Sequence, residues 1–118
     1  MQKIKTYRDL EIWQKGILIV KDVYSTTEKF PTSETYGLSL QMRRAAISIP
    51  SNVAEGFRRN SNREFNRYLS IAQSSVAELE TQIIIACELK YIDAVIQNVL
   101  LESTDHISRM ITNLCKRL

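Results

Sequence analysis

The 118 residues are 44% hydrophobic and 25% charged, with three glycines and two prolines; this suffices for one domain to close a single core without disulfides or metal, and excludes a low-complexity tail or linker. Sixteen Lys and Arg against 13 Asp and Glu leave a formal net charge of +3, too little to make the whole surface a polycation, so any nucleic-acid role has to rest on local asymmetry. The N-terminal MQKIKTYRDL has no apolar run of leader length, and the longest strongly apolar run, Ile83 to Cys87, is far short of a membrane span, so a cytoplasmic protein without membrane contact is the expectation.

In chain order, Leu10, Trp13, Ile17, Val20 and Tyr24 recur at steps of three and four and share one helical face. Thr6 with Asp9 predicts a variant capping box at the start of that helix, and Phe30-Pro31 predicts its end. Ser33 followed by Glu34 predicts the start of a second helix, with Leu38, Met42, Ala45, Ile49 and Val53 as core row and Gly56 as stop. Pro50 falls inside this pattern, where it removes an amide donor and crowds the carbonyl four residues earlier. It predicts a kink between Ala46 and Pro50, or else two shorter helices. Ser61 with Glu64 opens a third helix running to about Lys90, its core row Phe65, Leu69, Ala72, Val76, Leu79, Ile83 and Ala86. Asp93 caps a fourth, with Ile96, Leu100, Ser103, Ile107, Met110 and Leu114 as its row. Short connections and the absence of strand alternation predict an all-α chain: one antiparallel up-down-up-down four-helix bundle spanning residues 1–118, with a kinked second helix.

The first two helices carry more apolar surface than one seam needs. Leu40, Ile47 and Ala54 fall nearly opposite the core row of the second helix, and Ile12, Gly16, Ile19 and Val23 widen the apolar side of the first to about half its circumference. Either the core arc is broad with scattered surface apolar residues, or Ile12, Ile19, Val23, Leu40, Ile47 and Ala54 form a homo-oligomer interface; the second is the favoured expectation, because small domains seldom expose such rows.

Charge is concentrated between Gln41 and Arg67, where every cation is arginine: Arg43, Arg44, Arg58, Arg59, Arg63 and Arg67, against Glu55 and Glu64. Elsewhere lysines outnumber arginines seven to three. Arginine is the side chain suited to planar, paired recognition of phosphate or carboxylate. Arg63 and Arg67 are one turn apart and point away from the Phe65–Leu69 row, and Arg58 and Arg59 precede them, so four guanidinium groups converge on a helix start whose dipole favours anions. Phe57 and Phe65 are the only rings evident beside them, which gives no interleaved pattern for base stacking. Gln41, Arg44, Ser48, Asn52 and Glu55 line a stripe beside the core face of the second helix. As structure, Arg44 or Arg58 pairs with Glu55 while Ser48 and Asn52 satisfy carbonyls freed by Pro50; as function, the same donors line a groove for an anion.

Signals for catalysis are weak. The single histidine, His106, has Glu102 and Asp105 in reach as salt-bridge partners but lacks the paired Glu-x-x-His spacing of a bundle metal site. There is no nucleophile elbow, P-loop or glycine-rich phosphate loop, and Ser74-Ser75 lie mid-helix without a base. Cys87 and Cys115 have no motif spacing and read as reduced packing residues. The expectation is a non-enzyme without metal or cofactor.

Three strings, YRDLEIWQKG, YGLSLQMRRAAISIPSNVAEGFRR and REFNRYLSIAQSSVAELETQ, make the chain resemble the small bacterial four-helix-bundle proteins encoded within intervening sequences of 23S ribosomal RNA genes. Similar proteins include the accessory variability determinant of diversity-generating retroelements, a homopentamer that binds nucleic acid and a reverse transcriptase. The resemblance implies a bundle, assembly into a pentamer, a basic surface for RNA or DNA, and no catalysis. Gln41, Arg44, Ser48, Pro50, Asn52, Glu55 and Gly56 match the family motif, whereas Gln73 stands where the pattern leads one to expect a basic residue. The expected function is therefore a nucleic-acid-binding accessory protein with Arg58, Arg59, Arg63 and Arg67 on phosphates and Arg43 and Arg44 assisting. The alternatives are a scaffold whose arginines meet acidic residues of a protein partner such as a polymerase, and a bundle without a ligand whose arginines serve solubility or subunit pairing.

Overall fold

Four α-helices, α1 (Glu11–Thr27), α2 (Leu38–Phe57), α3 (Asn62–Glu88) and α4 (Ala94–Cys115), account for most of the chain in a computed structural model, with 3-10 turns at Tyr7–Asp9 and Thr32–Glu34. The structure describes residues 4–118; residues 1–3, the first of the stretch read above for a leader, lie outside it. Helices consecutive in the chain pack on one another, α4 returns to α1 and the diagonal pairs stay apart, the arrangement of an antiparallel four-helix bundle. Its 44 Å long axis matches the roughly 40 Å rise of α3.

Local signals explain the boundaries. Ser61 Oγ accepts from the Glu64 amide at 3.1 Å, and Asp93 Oδ1 accepts from the Ile96 amide at 2.9 Å, so both predicted caps form. The Thr6–Asp9 capping box also forms, but around the 3-10 turn; α1 itself begins after Leu10 and stops at Thr27. α2 starts later than Ser33 suggests. Thr32–Glu34 makes only a turn, and the Glu34 carboxylate then caps α2 from outside by accepting from the Leu38 amide at 3.0 Å. Its other oxygen accepts from the Tyr91 hydroxyl at 2.7 Å, tying this corner to the α3–α4 loop. In that loop Lys90 sits at φ 64°, with Tyr91 N donating to Ala86 O and Lys90 N to Cys87 O, the double bond pattern that closes a helix through a left-handed residue.

The predicted core rows of α2 and α3 are buried as read, except that Leu38 and Phe65 lie at the edge. Helix α1 differs. Ile12, Ile19 and Val23, expected at an oligomer interface, are 4%, 4% and 0% exposed inside the single chain, and the row read as core flanks them, with Tyr24 exposed. With half the circumference apolar, hydrophobic periodicity cannot choose between two overlapping arcs. The choice is made by Gly16, where an added Cβ would lie 3.1 Å from Pro50 Cβ: α1 and α2 cross closely there, which turns the Gly16 face inward. Helix α4 is shifted similarly, burying Leu100, Thr104, Ile107 and Ile111 while Ile96 is exposed.

Helix α2 runs unbroken through Pro50, so the two-helix alternative is not realised. Gly56 does not stop the helix either. It is buried one residue before the end, where a Cβ would meet Tyr68 Cβ at 2.6 Å and the Phe65 ring at 3.0 Å; its smallness brings α2 and α3 together.

Candidate functional site

The arginine-only stretch is divided by the length of α2. Arg43 lies in its second turn and Arg58 just past its end, about 22 Å apart along the axis. Arg43 belongs to the α1–α2 seam: its Nε donates to Thr27 Oγ1 at 2.8 Å, and its guanidinium carbon is 4.3 Å from the Tyr24 ring centroid. Arg44 is exposed on the outer side of α2, with no ion pair among the described residues. Neither reaches the other four, so the expected assistance from Arg43 and Arg44 is separated from them by most of a helix.

Arg58, Arg59, Arg63 and Arg67 do come together. The short α2–α3 loop places the first two beside the opening turns of α3, all four are exposed, and Ser61, Arg63, Glu64, Asn66, Arg67 and Ser70 line a shallow depression of about 570 Å³. Two of the four carry carboxylate partners. Arg59 Nη2 lies 3.4 Å from Glu55 Oε1, and Arg67 donates to both Glu64 oxygens at 3.3 and 3.2 Å. The Glu55 partner is thus Arg59, not Arg44 or Arg58. Hydrogen bonding from Arg67 holds the Glu64 carboxyl below its ordinary pKa, so it is ionised at neutral pH. Because these pairs are exposed, water screens them and their hold is weak enough for a nucleic-acid phosphate to displace it.

Two rings missed in the sequence sit among these cations. Tyr68 Oη accepts from Arg59 Nη2 at 2.7 Å, and its ring centroid is 5.0 Å from the Arg59 and 4.6 Å from the Arg67 guanidinium carbon. Tyr7, on the 3-10 turn before α1, has Arg8 at 5.3 Å and Arg58 at 5.5 Å, and tilts against Trp13 at 5.4 Å. Adjacent arginines therefore diverge, Arg58 toward Tyr7 and Arg59 toward Tyr68. The adjacent Arg67-Tyr68 and Tyr7-Arg8 dipeptides were local signals for two of these contacts; nothing local pointed to the approach of Arg58 to Tyr7.

Only the middle of the polar stripe of α2, Ser48 and Asn52, lies at the α2–α3 seam, where it makes structural hydrogen bonds. Ser48 Oγ and Ser75 Oγ are 2.7 Å apart, and Asn52 Nδ2 donates to Ser48 O at 2.8 Å and to Ser48 Oγ at 2.9 Å. Pro50 removes the amide partner of the Ala46 carbonyl, and Asn52 bonds the Ser48 carbonyl instead. Gln41 and Glu55 at the ends of the stripe are exposed. Gln73, standing where a cation was expected, clamps α3 to α4: its Nε2 donates to Ser108 O and Thr112 Oγ1 at 2.8 and 2.9 Å, and Ser108 Oγ donates back at 2.9 Å. A cation there would lack the amide's acceptor.

His106 is exposed beside Lys15, Leu18, Asp22 and Ser103, while Asp105, one of its expected partners, pairs with Arg109 at 3.1 Å. No group of three His, Cys, Asp or Glu side chains among the described residues is arranged to hold a metal ion. Cys87 and Cys115 are free and partly buried against the core, and burial pushes the Cys115 thiol pKa up. No described helix is long and apolar enough to cross a membrane.

The sequence profile of the 23S rRNA-intervening sequence proteins matches residues 8–113. Among solved structures, the chain is similar to a protein described as of unknown function from the S23 ribosomal protein family of Bacteroides thetaiotaomicron, with 18% identity, 89% of this chain and 98% of that chain covered, and a TM-score of 0.80. At that identity the likeness establishes the fold. No curated protein sequence matches.

Proposed function

The chain belongs to the 23S rRNA-intervening sequence protein family, and from that premise we propose that it is a non-enzymatic, self-associating cytoplasmic bundle that binds the phosphate backbone of RNA or DNA. The observation that carries this reading is the convergence of Arg58, Arg59, Arg63 and Arg67 at one corner, exposed and next to the amide end of α3. Such contacts fix a backbone without reading bases, so binding is weakly sequence-specific and strongly dependent on salt. Replacing all four by glutamine and measuring binding of labelled RNA and DNA tests it: loss of binding with the fold intact supports it, and unchanged affinity refutes it.

Self-association uses the outer α1–α2 face in this reading. Leu40, Ile47 and Ala54 remain there, Ile47 being 41% exposed, and Ile17, Val20 and Tyr24 of α1 take the place of the buried Ile12, Ile19 and Val23. The Gly16–Pro50 and Tyr24–Arg43 contacts set an antiparallel register that brings Val20 level with Ile47. The family resemblance favours a pentamer, which sedimentation measures directly.

The two carboxylate pairs give the rival reading its footing, since arginines that accept Glu55 and Glu64 also accept acidic residues of a partner protein such as a polymerase. The same fourfold variant separates the cases: that rival requires nucleic-acid binding to survive while a co-purifying protein is lost.

A further inference from the structure

A phosphate surface needs only cations. This one alternates cations with half-buried aromatic rings: Arg8, Tyr7 and Arg58 on the α1 side of the end of α2, and Arg59, Tyr68 and Arg67 on its α3 side. Duplex nucleic acid offers phosphates outward and keeps its base faces stacked, so it leaves rings and guanidinium planes without partners. Single strands offer both. Bases stack on tyrosine rings and on guanidinium planes, and such contacts tolerate any sequence because every base has a π-face.

The Tyr68 ring is also held in place in advance. Its Cβ lies against Gly56, so closely that a Cβ on Gly56 would approach to 2.6 Å, which fixes the root of the side chain on the α2 backbone. Its hydroxyl is held by Arg59 at 2.7 Å, and the Arg67 guanidinium lies 4.6 Å from the ring centroid. With both guanidinium carbons no more than 5.0 Å from one centroid, they are less than about 10 Å apart. Two cations within that limit are close enough to take neighbouring phosphates of one strand on either side of a base. A ring and two cations fixed this way lose little freedom on binding.

Building on the phosphate-binding reading above, we infer that the preferred ligand is single-stranded RNA or DNA, with a base laid on the Tyr68 ring and the flanking phosphates on Arg59 and Arg67. Tyr68 is the contact that distinguishes a single strand from a duplex, and the Tyr7 group extends the track across α2.

The test compares a labelled mixed-sequence strand of about 12 nucleotides with its duplex, by fluorescence polarisation at matched salt, on the intact protein. The single strand is expected to bind about tenfold tighter or better, Tyr68→Leu to weaken single-strand binding about tenfold more than duplex binding, and Tyr68→Phe to keep the preference because the ring remains. Circular dichroism checks the fold of each variant. Photocrosslinking of a 5-bromouracil strand to the unsubstituted protein supplies a readout that needs no variant, with Tyr68 the expected adduct. Equal or tighter duplex binding, or an adduct confined to other parts of the bundle, overturns the single-strand inference and leaves the phosphate reading standing. Failure of both nucleic acids to bind at low salt overturns the phosphate reading itself.

Discussion

Arg63 offers the cleanest test of the phosphate surface, because it is exposed and makes no ion pair or side-chain hydrogen bond among the described residues. Replacing it by glutamine therefore leaves the fold alone. If the four clustered arginines neutralise four phosphates per protomer, the slope of log affinity against log salt is about −3.6 on duplex and about −2.8 on a single strand. Between 50 and 200 mM salt those slopes correspond to losses of about 150-fold and about 50-fold. Arg63→Gln should reduce the slope by about 0.9 on duplex or about 0.7 on a single strand, with the loss of affinity greatest at the lowest salt. Fluorescence polarisation over a salt series measures both parameters, and chemical denaturation confirms unchanged stability. A variant that weakens binding with an unaltered slope would place Arg63 outside the phosphate contacts. A flat slope in the unsubstituted protein would remove the phosphate argument for the whole corner.

The neighbouring carboxylate gives the opposite sign. Glu64→Gln frees Arg67 and removes a competing anion, so nucleic-acid affinity should rise by up to about fivefold at low salt, the range of an exposed pair; a fall in a titration would contradict the competition. Gly56→Ala forces a Cβ against Tyr68 and Phe65, and overpacking of this kind should lower stability by about 1–3 kcal/mol in urea denaturation. Lys90→Gly relieves a left-handed residue at the end of α3 and should raise stability by up to about 1 kcal/mol in the same assay. The Glu34 carboxyl is held below the usual range, first by the Leu38 amide and then by the Tyr91 hydroxyl, so its contribution is fully present above the unfolded value near 4.5 and is lost as pH falls through the lower folded value. Thermal melts across that acid window should accordingly fall less steeply for Glu34→Gln than for the unsubstituted chain.

How much could be read in advance depended on how narrow each apolar stripe was. In α2 and α3 the core rows occupy compact arcs, and Met42, Ile49, Val53, Leu69, Leu79 and Ile83 are buried as their spacing requires. In α1 the stripe covers half the helix, and the decision between Trp13–Val20–Tyr24 and Ile12–Ile19–Val23 rests on a crossing with Pro50 that no periodicity within one helix encodes. Likewise, the convergence of Arg58, Arg59, Arg63 and Arg67 followed from one short loop and one helical turn, both local. Tyr7 reaches Arg58 across 50 intervening positions, and only the packing of the turn before α1 against the end of α2 brings them together.

Gly56 links the fold to this corner. A helix that ended at this glycine, as a stop signal would have it, would release the chain before Phe57 and leave Arg58 and Arg59 in a longer loop with no fixed aim. Because the glycine is instead buried within α2, the backbone comes close enough for Tyr68 to stand against it, and Arg59, three residues on, meets the tyrosine hydroxyl while Arg58 turns to the opposite side. A residue with a side chain would move α3 outward and separate Arg59 from Tyr68 even if the bundle still closed. The SNVAEG segment therefore does two jobs with one close approach: it packs α2 on α3, and it sets where the guanidinium groups beyond it can point.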